Sequence, residues 1–299
     1  MELDAFSRAK RFVHVADTRV AYIDQGEGTP LLLLHGCPFS SFVWRKVIPS
    51  LAGHHRCLAP DLLGLGDTET PPGADWSLPA QEEMILGLLD ALGVERTSVV
   101  GHDHGGAVAQ LLAARHPGRL GRLVLCNAEA YDNWPSADER PIVALTQTPV
   151  LGGLVMRALA TRTALRLALK AGHAVNNNRV LDDELVDGYL RANLSDAHRR
   201  AKTARFLAGQ LDPANNRWTT DILDGLRLFD HPTLLLWAAD DPHFGPRWAE
   251  RLREDLAGPA RVELLTGTGH LLMEEHPGEV ATHILTFLAN PQPASAGVG

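Results

Sequence analysis

The feature that most constrains the fold is the sequence VVGHDHGG at residues 99–106, where an apolar run leads into a turn with glycines on both sides of an acidic residue. This pattern predicts a buried strand that passes directly into a helix through a tight corner. The glycines are needed because neighbouring backbone comes too close to leave space for a side chain. Asp103 then occupies the corner, either as an exposed nucleophile or, in the simpler alternative, as the N-cap of the helix.

Short apolar runs alternate with helical patterns along most of the chain, which predicts a mostly parallel, doubly wound sheet. Before them, two alternating segments around a turn predict an antiparallel hairpin at residues 11–15 and 19–24. Further strands are predicted at residues 31–34, 56–59, 97–100, 122–126, 233–237 and 262–265, and helices at residues 78–92, 105–116, 247–256 and 277–288.

The stretch between about residues 131 and 228 breaks this alternation. It has helical patterns at residues 149–169, 182–193 and 197–211 and no convincing strand. Because it leaves the carboxyl end of a strand, where ligands bind in such sheets, we expect a cap over the site and not an ordinary surface insertion. The predicted division is a first core part at 1–132, a helical cap at 133–228, a second core part at 229–290 and a disordered tail at 291–299.

Charge and composition narrow the classes of partner. A formal net charge of −8 argues against nucleic acid and anionic membranes, both of which reward clustered Lys and Arg. Three cysteines do not make a disulfide framework, and no apolar run approaches the ~18 residues of a membrane helix. Residues 1–11 are charged and lack the apolar segment of a secretion signal, so we expect the cytoplasm.

Together these motifs resemble the α/β-hydrolase superfamily, in its aspartate-nucleophile branch of epoxide hydrolases and haloalkane dehalogenases. The resemblance covers nearly the whole chain. It implies that the HGCP loop at residues 35–38 supplies an oxyanion-hole N–H at Cys37, and that His104, after the nucleophile, supplies the second. The sequence GTGH at residues 267–270 is similar to the loop in which this family carries its base, which is His270 here.

The acid that orients His270 is predicted from the same resemblance. The family commonly places it in the loop after the strand at residues 233–237, where Asp240 and Asp241 stand, and the second aligns better. Some dehalogenases carry the acid one strand earlier. There Asn127 cannot serve as an acid, and Glu129 is displaced in register, so Asp241 is preferred.

A carboxylate nucleophile predicts a particular reaction. An aspartate that attacks a saturated carbon forms an alkyl ester, and a water activated by His270 must then hydrolyse it. The leaving group is an epoxide oxygen or a halide. Dehalogenases of the family usually carry Trp after the nucleophile, or arginines in the fluoroacetate type, whereas His104 and Ala107 stand here. Epoxide opening is therefore predicted, with haloalkane or haloacid dehalogenation as the alternative, for which Trp134 or Trp218 would supply a donor.

Substrate contacts are predicted from aromatic residues. Epoxide hydrolases protonate the departing oxygen with cap tyrosines, for which Tyr131 and Tyr189 are the candidates, although packing explains them equally well. Phe39 and Trp44, near the HGCP loop, are expected to line the pocket or to pack in the core. The expected ligands are a small, largely apolar substrate and water.

No metal or other cofactor is predicted, because His102 and His104 flank a tight turn and their side chains need not converge. Two further classes of function stay open. One is a lyase, isomerase or cofactor-free oxygenase on the same scaffold, in which Asp103 is never esterified. The other is a binding protein, which would not require an acid, a base and a nucleophile together.

Overall fold

The computed structural model describes residues 1–289, in which eight strands form one sheet in the order β1-β2-β4-β3-β5-β6-β7-β8. The β1-β2 and β2-β4 pairs are antiparallel, and all other pairs are parallel. This arrangement confirms the predicted hairpin and doubly wound sheet. The strands are β1 (Arg11–Val15), β2 (Thr18–Gln25), β3 (Pro30–Leu34), β4 (Arg56–Pro60), β5 (Thr97–Asp103), β6 (Leu120–Ala128), β7 (Thr233–Ala238) and β8 (Ala260–Leu265).

Helices cover both faces of the sheet because its central strands are apolar on both sides. Leu32 and Leu34 of β3 pack into one core cluster, and Leu31 and Leu33 pack into the other. The first face is covered by α3 (Leu78–Ala91), α4 (His104–Arg115) and α13 (Arg247–Asp255), and the second by α2 (Ile48–Leu51), α14 (Leu272–Glu275) and α15 (Pro277–Ala289). Helix α1 (Leu3–Ala9) precedes the sheet, and 3₁₀ turns form at Ser41–Trp44, Pro117–Arg119 and Asn178–Val180.

All secondary structure between β6 and β7 is helical, which confirms the predicted helical insertion. The predicted helix at residues 149–169 is in fact two helices, because Thr161 leaves the helical conformation and its side chain caps the second by accepting from the Ala164 amide. The helices are α5 (Glu139–Thr146), α6 (Leu151–Leu159), α7 (Arg162–Ala171), α8 (Asp183–Asn193), α9 (Ala197–Gln210), α10 (Pro213–Asn216), α11 (Trp218–Asp221) and α12 (Leu223–Leu226).

Two further sequence predictions concern membrane-spanning helices and the C-terminal tail. Within residues 1–289, no single helix has both the length and the hydropathy to cross a bilayer, and only α5 and α6 taken together, bent by 110°, reach them. The tail predicted at residues 291–299 lies outside the described residues.

Candidate active site

The tight corner after β5 places Asp103 at the carboxyl edge of the sheet. Asp103 adopts a left-handed backbone conformation with φ of 53°, which a side-chain-bearing residue takes only where its surroundings enforce it. The glycines explain how the corner fits. A Cβ atom on Gly105 would lie 2.5 Å from the carbonyl oxygen of Leu34, so β3 and α4 could not approach as they do. The close approach of β3 and α4 therefore fixes the position of Asp103 at the end of β5.

The three residues predicted as nucleophile, base and acid lie together. His270 Nε2 is 3.2 Å from Asp103 Oδ2, and His270 Nδ1 is 2.9 Å from Asp241 Oδ2. Asp241 is held in turn because its Oδ1 accepts from the amides of His243 and Phe244. All three side chains are buried. Asp240, the alternative acid, instead accepts from the amide of Gly267.

The charges of this group stabilise one another. Burial by itself would raise the pKa of Asp103, but the hydrogen bond and positive charge of His270 outweigh it and lower that pKa to about 2. The pKa of Asp241 is also lowered against burial, chiefly by the charge of His270. Burial would lower the pKa of His270, yet the charge of Asp241 and the contacts with Asp103 raise it well above its usual value. The resting site is a charged triad.

Two backbone amides hold the other carboxylate oxygen of Asp103. Its Oδ1 accepts from the Cys37 amide at 2.7 Å and from the His104 amide at 2.5 Å. The chain at residues 35–38 can approach this closely because Gly36 has no side chain, and a Cβ there would lie 2.5 Å from the Cβ of Asp103. The amides predicted for an oxyanion hole therefore converge on one atom.

Asn127 and His102 hold the loop that carries His270. The side-chain amide of Asn127 donates to the His270 carbonyl oxygen at 2.9 Å, and its oxygen accepts from the Ala238 amide at 2.8 Å. His102 Nε2 lies 3.1 Å from the same His270 carbonyl oxygen. Asn127, at the position considered for the acid, thus ties the loop to β7.

The site opens into a cavity of about 490 Å³ between the sheet edge and the helical insertion. Asp103 and His270 lie in its wall on the sheet side. The insertion contributes mainly apolar side chains, and its carboxylates Asp138 and Glu139 also line the cavity. No Lys or Arg is among the lining residues in the described part of the chain. The apolar lining side chains of the insertion include Ile142, Val143, Met156, Leu159, Leu165, Leu169 and Leu207.

Only some of the aromatic residues predicted to contact substrate line the cavity. Phe39 and Tyr189 line the cavity, and their rings pack with centroids 4.8 Å apart. The Tyr189 hydroxyl, however, donates to Glu274 Oε1 at 3.1 Å instead of pointing at Asp103. Trp44 is fully buried in the core and does not line the cavity. Its large apolar ring fits the interior equally well, which sequence could not distinguish.

Tyr131 lies away from the cavity. Its hydroxyl donates to Asp255 Oδ2 at 2.8 Å, and its ring stacks on Trp248. The tryptophans considered as halide donors are also absent from the cavity lining, and the Trp134 indole N–H donates to Thr219 Oγ1 at 2.7 Å. The structure therefore directs neither the Tyr131 hydroxyl nor the Trp134 indole N–H at the substrate.

The sequence suggests Glu129 only as an alternative acid for His270, and the structure gives this residue a different place. The residue follows β6 and lines the cavity with Asp103, and its Oε2 lies 2.7 Å from His104 Nδ1. The only signal in the sequence was a carboxylate just after a buried strand, which many surface loops share.

The side chains of His102 and His104 diverge. His102 turns toward the His270 backbone, and His104 turns toward Glu129. Within residues 1–289, no group of three His, Cys, Asp or Glu side chains is arranged to hold a metal ion.

Comparison with known proteins identifies the fold family. The family model described as alpha/beta hydrolase fold matches residues 29–277. A cis-3-alkyl-4-alkyloxetan-2-one decarboxylase from Shewanella oneidensis is 28% identical over 97% of this chain and 92% of its own. Haloalkane dehalogenase 2 from Mycobacterium tuberculosis is 28% identical over 89% of this chain and 90% of its own.

Among solved structures, an epoxide hydrolase superposes with a TM-score of 0.77 and 24% identity, covering 94% of this chain and 98% of its own. At that identity the likeness concerns the fold alone. The chain belongs to the α/β hydrolase fold family, which confirms the resemblance and the prediction of an enzyme.

Proposed function

We propose that this member of the α/β hydrolase fold family hydrolyses a neutral, largely apolar substrate through a covalent alkyl ester on Asp103. The proposal rests on one observation, which is that the two carboxylate oxygens of Asp103 have different partners. Oδ1 is held by two amides, whereas Oδ2 lies beside His270 at the cavity and is the atom that attacks. Asp241 orients the His270 ring and stabilises its positive charge.

The low pKa of Asp103 supports attack on a saturated carbon. A carboxylate with a pKa of about 2 is fully ionised at neutral pH and needs no base to become a nucleophile. Once the ester has formed, Asp103 carries no charge, so one of the two anions that hold the proton on His270 is gone. The pKa of His270 then falls and its proton passes to solvent, so the neutral ring can take a proton from water and is again protonated when the Asp103 carboxylate is released.

Ester hydrolysis requires a place for negative charge on the former Oδ1. Attack of water on the Asp103 carbonyl carbon turns that oxygen into an oxyanion, which already lies within 2.7 Å of the Cys37 and His104 amides. Such donors are worth about 3 kcal/mol each in the transition state. The same two amides therefore serve both the resting carboxylate and the tetrahedral intermediate.

The chemistry of the cavity favours an epoxide over a halide as the leaving group. A departing halide needs N–H donors. In the described residues the indole groups of Trp134 and Trp218 do not line the cavity, and the Asn193 side-chain amide, which does, donates to the carbonyl oxygens of Pro38 and Phe39. A haloacid needs a cation for its carboxylate, and the lining residues include carboxylates but no Lys or Arg. We therefore propose a small, neutral epoxide as the substrate.

One relative suggests a second candidate substrate and reaction. The Shewanella oneidensis protein is named a decarboxylase of an oxetan-2-one, a strained four-membered cyclic ester with two alkyl groups. A strained oxygen ring with alkyl arms would suit the same apolar cavity. Release of carbon dioxide without lasting esterification of Asp103 would identify this lyase-type reaction.

We propose that the helical insertion determines which substrates bind. Residues 133–228 would act as a cap, with residues 1–132 and 229–290 as the catalytic core. Support comes from the cavity, whose apolar side chains come mainly from the insertion while Asp103 and His270 come from the core.

Isotope labelling tests the ester directly. One turnover of 1,2-epoxyhexane in ¹⁸O-water should leave the label in the Asp103 carboxylate, because water attacks the ester carbonyl and the diol carries away the original Oδ2. The His270→Gln variant should accumulate a substrate-sized mass increase on Asp103, and Asp103→Asn should not. Label that goes straight into the diol while Asp103 stays unlabelled would contradict the ester mechanism.

A further inference from the structure

The cavity holds a second carboxyl group beside the nucleophile. The Glu129 amide donates to the Asp103 carbonyl oxygen at 3.2 Å, directly after the point where Ala128 of β6 pairs with Asp103 of β5. Gln110 fixes the same segment, since its side-chain amide donates to the Glu129 carbonyl oxygen at 2.7 Å. The end of β6 therefore delivers the Glu129 side chain to the cavity that Asp103 also lines.

The surroundings of the Glu129 side chain disfavour a negative charge, although the positive charge of His270 acts in the opposite direction. It is 3% exposed, its one hydrogen-bond partner in residues 1–289 is His104 Nδ1, and the cavity lining contains no Lys or Arg. Burial, and then the negative charge of Asp103, raise the pKa of Glu129 well above its usual value. Burial and a neighbouring anion both favour the protonated form of a carboxyl group, which is the form that can donate a proton.

His104 positions this carboxyl group. Burial lowers the pKa of His104 to about 4, so the ring is neutral and carries one proton. With that proton on Nδ1, His104 donates to Glu129 Oε2, and the carboxyl proton of Glu129 then resides on Oε1. His104 Nε2 is buried and has no partner among the described residues, which suits its role as the unprotonated nitrogen.

We propose that Glu129 is the acid that protonates the departing oxygen when Asp103 opens an epoxide. The inference rests on the proposed ester mechanism and narrows its substrates to those whose leaving atom needs a proton. An alkoxide is such a group and a halide is not. Glu129 thus takes the role predicted from the sequence for Tyr131 or Tyr189, whose hydroxyls donate to Asp255 and Glu274.

The proposed step opens the epoxide ring and transfers one proton. Asp103 Oδ2 forms a bond to one epoxide carbon, the bond from that carbon to oxygen breaks, and the oxygen takes the Glu129 proton. The products are a hydroxyalkyl ester and an ionised Glu129, which still accepts from His104. Hydrolysis of the ester later releases a diol and one proton, which restores the acid form of Glu129.

His270 also carries a proton, but it lies on the side of the reacting carbon from which Asp103 attacks. Its Nε2 is 3.2 Å from the attacking oxygen. In a displacement at saturated carbon, the leaving atom departs on the side opposite the attacking atom. Glu129 lies elsewhere in the cavity wall, hydrogen-bonded to His104 and not to the triad.

The test separates ester formation from ester hydrolysis by using the His270→Gln background. Intact mass spectrometry follows adduct formation with 1,2-epoxyhexane, which needs a proton, and with 1-bromohexane, which does not. Adding Glu129→Gln should slow the epoxide reaction by roughly 10²–10⁴ and the bromide reaction by less than about threefold. The matched control adds Asp132→Asn, which removes an exposed carboxylate three residues further along the chain that does not line the cavity, and should leave the epoxide reaction within about threefold.

The outcomes distinguish the two proposals. If His270→Gln forms no adduct with either probe, the ester mechanism itself fails, and the role of Glu129 fails with it. If His270→Gln reacts with epoxide and the added Glu129→Gln does not slow it, only the role of Glu129 is overturned. Equal slowing of both probes also overturns it, because that result indicates a displaced nucleophile. Glu129→Asp, which keeps an acid, should recover at least tenfold over Glu129→Gln with epoxide, and no recovery would contradict an acid role.

Discussion

The two walls of the cavity are built in different ways. On the sheet side, Asp103, Asp241 and His270 are fixed by directional hydrogen bonds to backbone amides and to one another. On the helical side, α6 and α7 present apolar side chains to the cavity, and the same helices expose Leu154 and Leu167 to solvent. Directional contacts fix atoms for chemistry, whereas apolar contacts only exclude what does not fit.

This difference predicts that substitutions on the sheet side change the rate of the chemical steps, whereas substitutions on the helical side change which substrates are accepted.

The largest effect is expected for Asp241→Asn. Without a carboxylate, the His270 ring loses the partner that orients it and stabilises its charge, so ester hydrolysis should slow by about 10³–10⁴. Asp240→Asn is the matched control, because Asp240 bonds the Gly267 amide and not His270. Its hydrolysis rate, measured by single-turnover release of diol, should stay within about threefold of wild type. Equal losses in both variants would show that the loop, and not Asp241, is responsible.

Glu129→Gln should stabilise the fold at neutral pH. The pKa of Glu129 is raised in the folded chain, so above its unfolded pKa of about 4.3 the unfolded chain releases a proton that the folded chain keeps. That difference opposes folding, and Gln removes it, so the free energy of unfolding at pH 7 should increase. The gain should vanish below about pH 4, where both states are protonated.

Calorimetric unfolding at pH 7 and at the lowest pH the fold tolerates measures this gain. The melting temperature of Glu139→Gln is measured for comparison, because Glu139 is a half-buried carboxylate of the same cavity. An unchanged melting temperature for Glu129→Gln at pH 7 would mean that the side chain is ionised in the folded protein.

A smaller effect is expected on the helical side from Met156→Trp. Met156 is buried and lines the cavity from α6, so a larger ring should exclude longer substrates. We expect kcat/KM for 1,2-epoxydecane to fall at least about tenfold relative to 1,2-epoxybutane, the order of effect that pocket size has on selectivity. Leu154→Trp, on the exposed face of the same helix, should not change that ratio. A uniform fall for both substrates would contradict the division of roles.

The smallest effect is expected for Tyr131→Phe. The Tyr131 hydroxyl bonds Asp255 outside the cavity, so its loss should reduce stability by about 1 kcal/mol and leave epoxide turnover within about threefold. Tyr189→Phe should behave in the same way, because its hydroxyl bonds Glu274. A loss of 10² or more in ester formation by either variant would return the role of proton donor to that tyrosine.

Local patterns in the sequence were sufficient for the sheet and for the order of the site residues. The glycine-flanked corner at Asp103 and the loop ending at His270 follow strands whose carboxyl ends meet at one edge, so their convergence could be expected. The helices of the insertion were predicted less well: α5 was missed and α6 and α7 were joined, because amphipathic periodicity does not reveal where a side chain such as Thr161 ends one helix and starts another.

The sequence by itself determined a strand-to-helix corner that exposes a carboxylate, a histidine in the last loop and a helical insertion between them. These follow from backbone geometry and periodicity within short segments. Only the tertiary structure decided which polar groups face the cavity: it turned the hydroxyls of Tyr131 and Tyr189 toward Asp255 and Glu274 and brought Glu129 beside Asp103. Side-chain direction and burial depend on packing between distant segments, and no single segment contains that information.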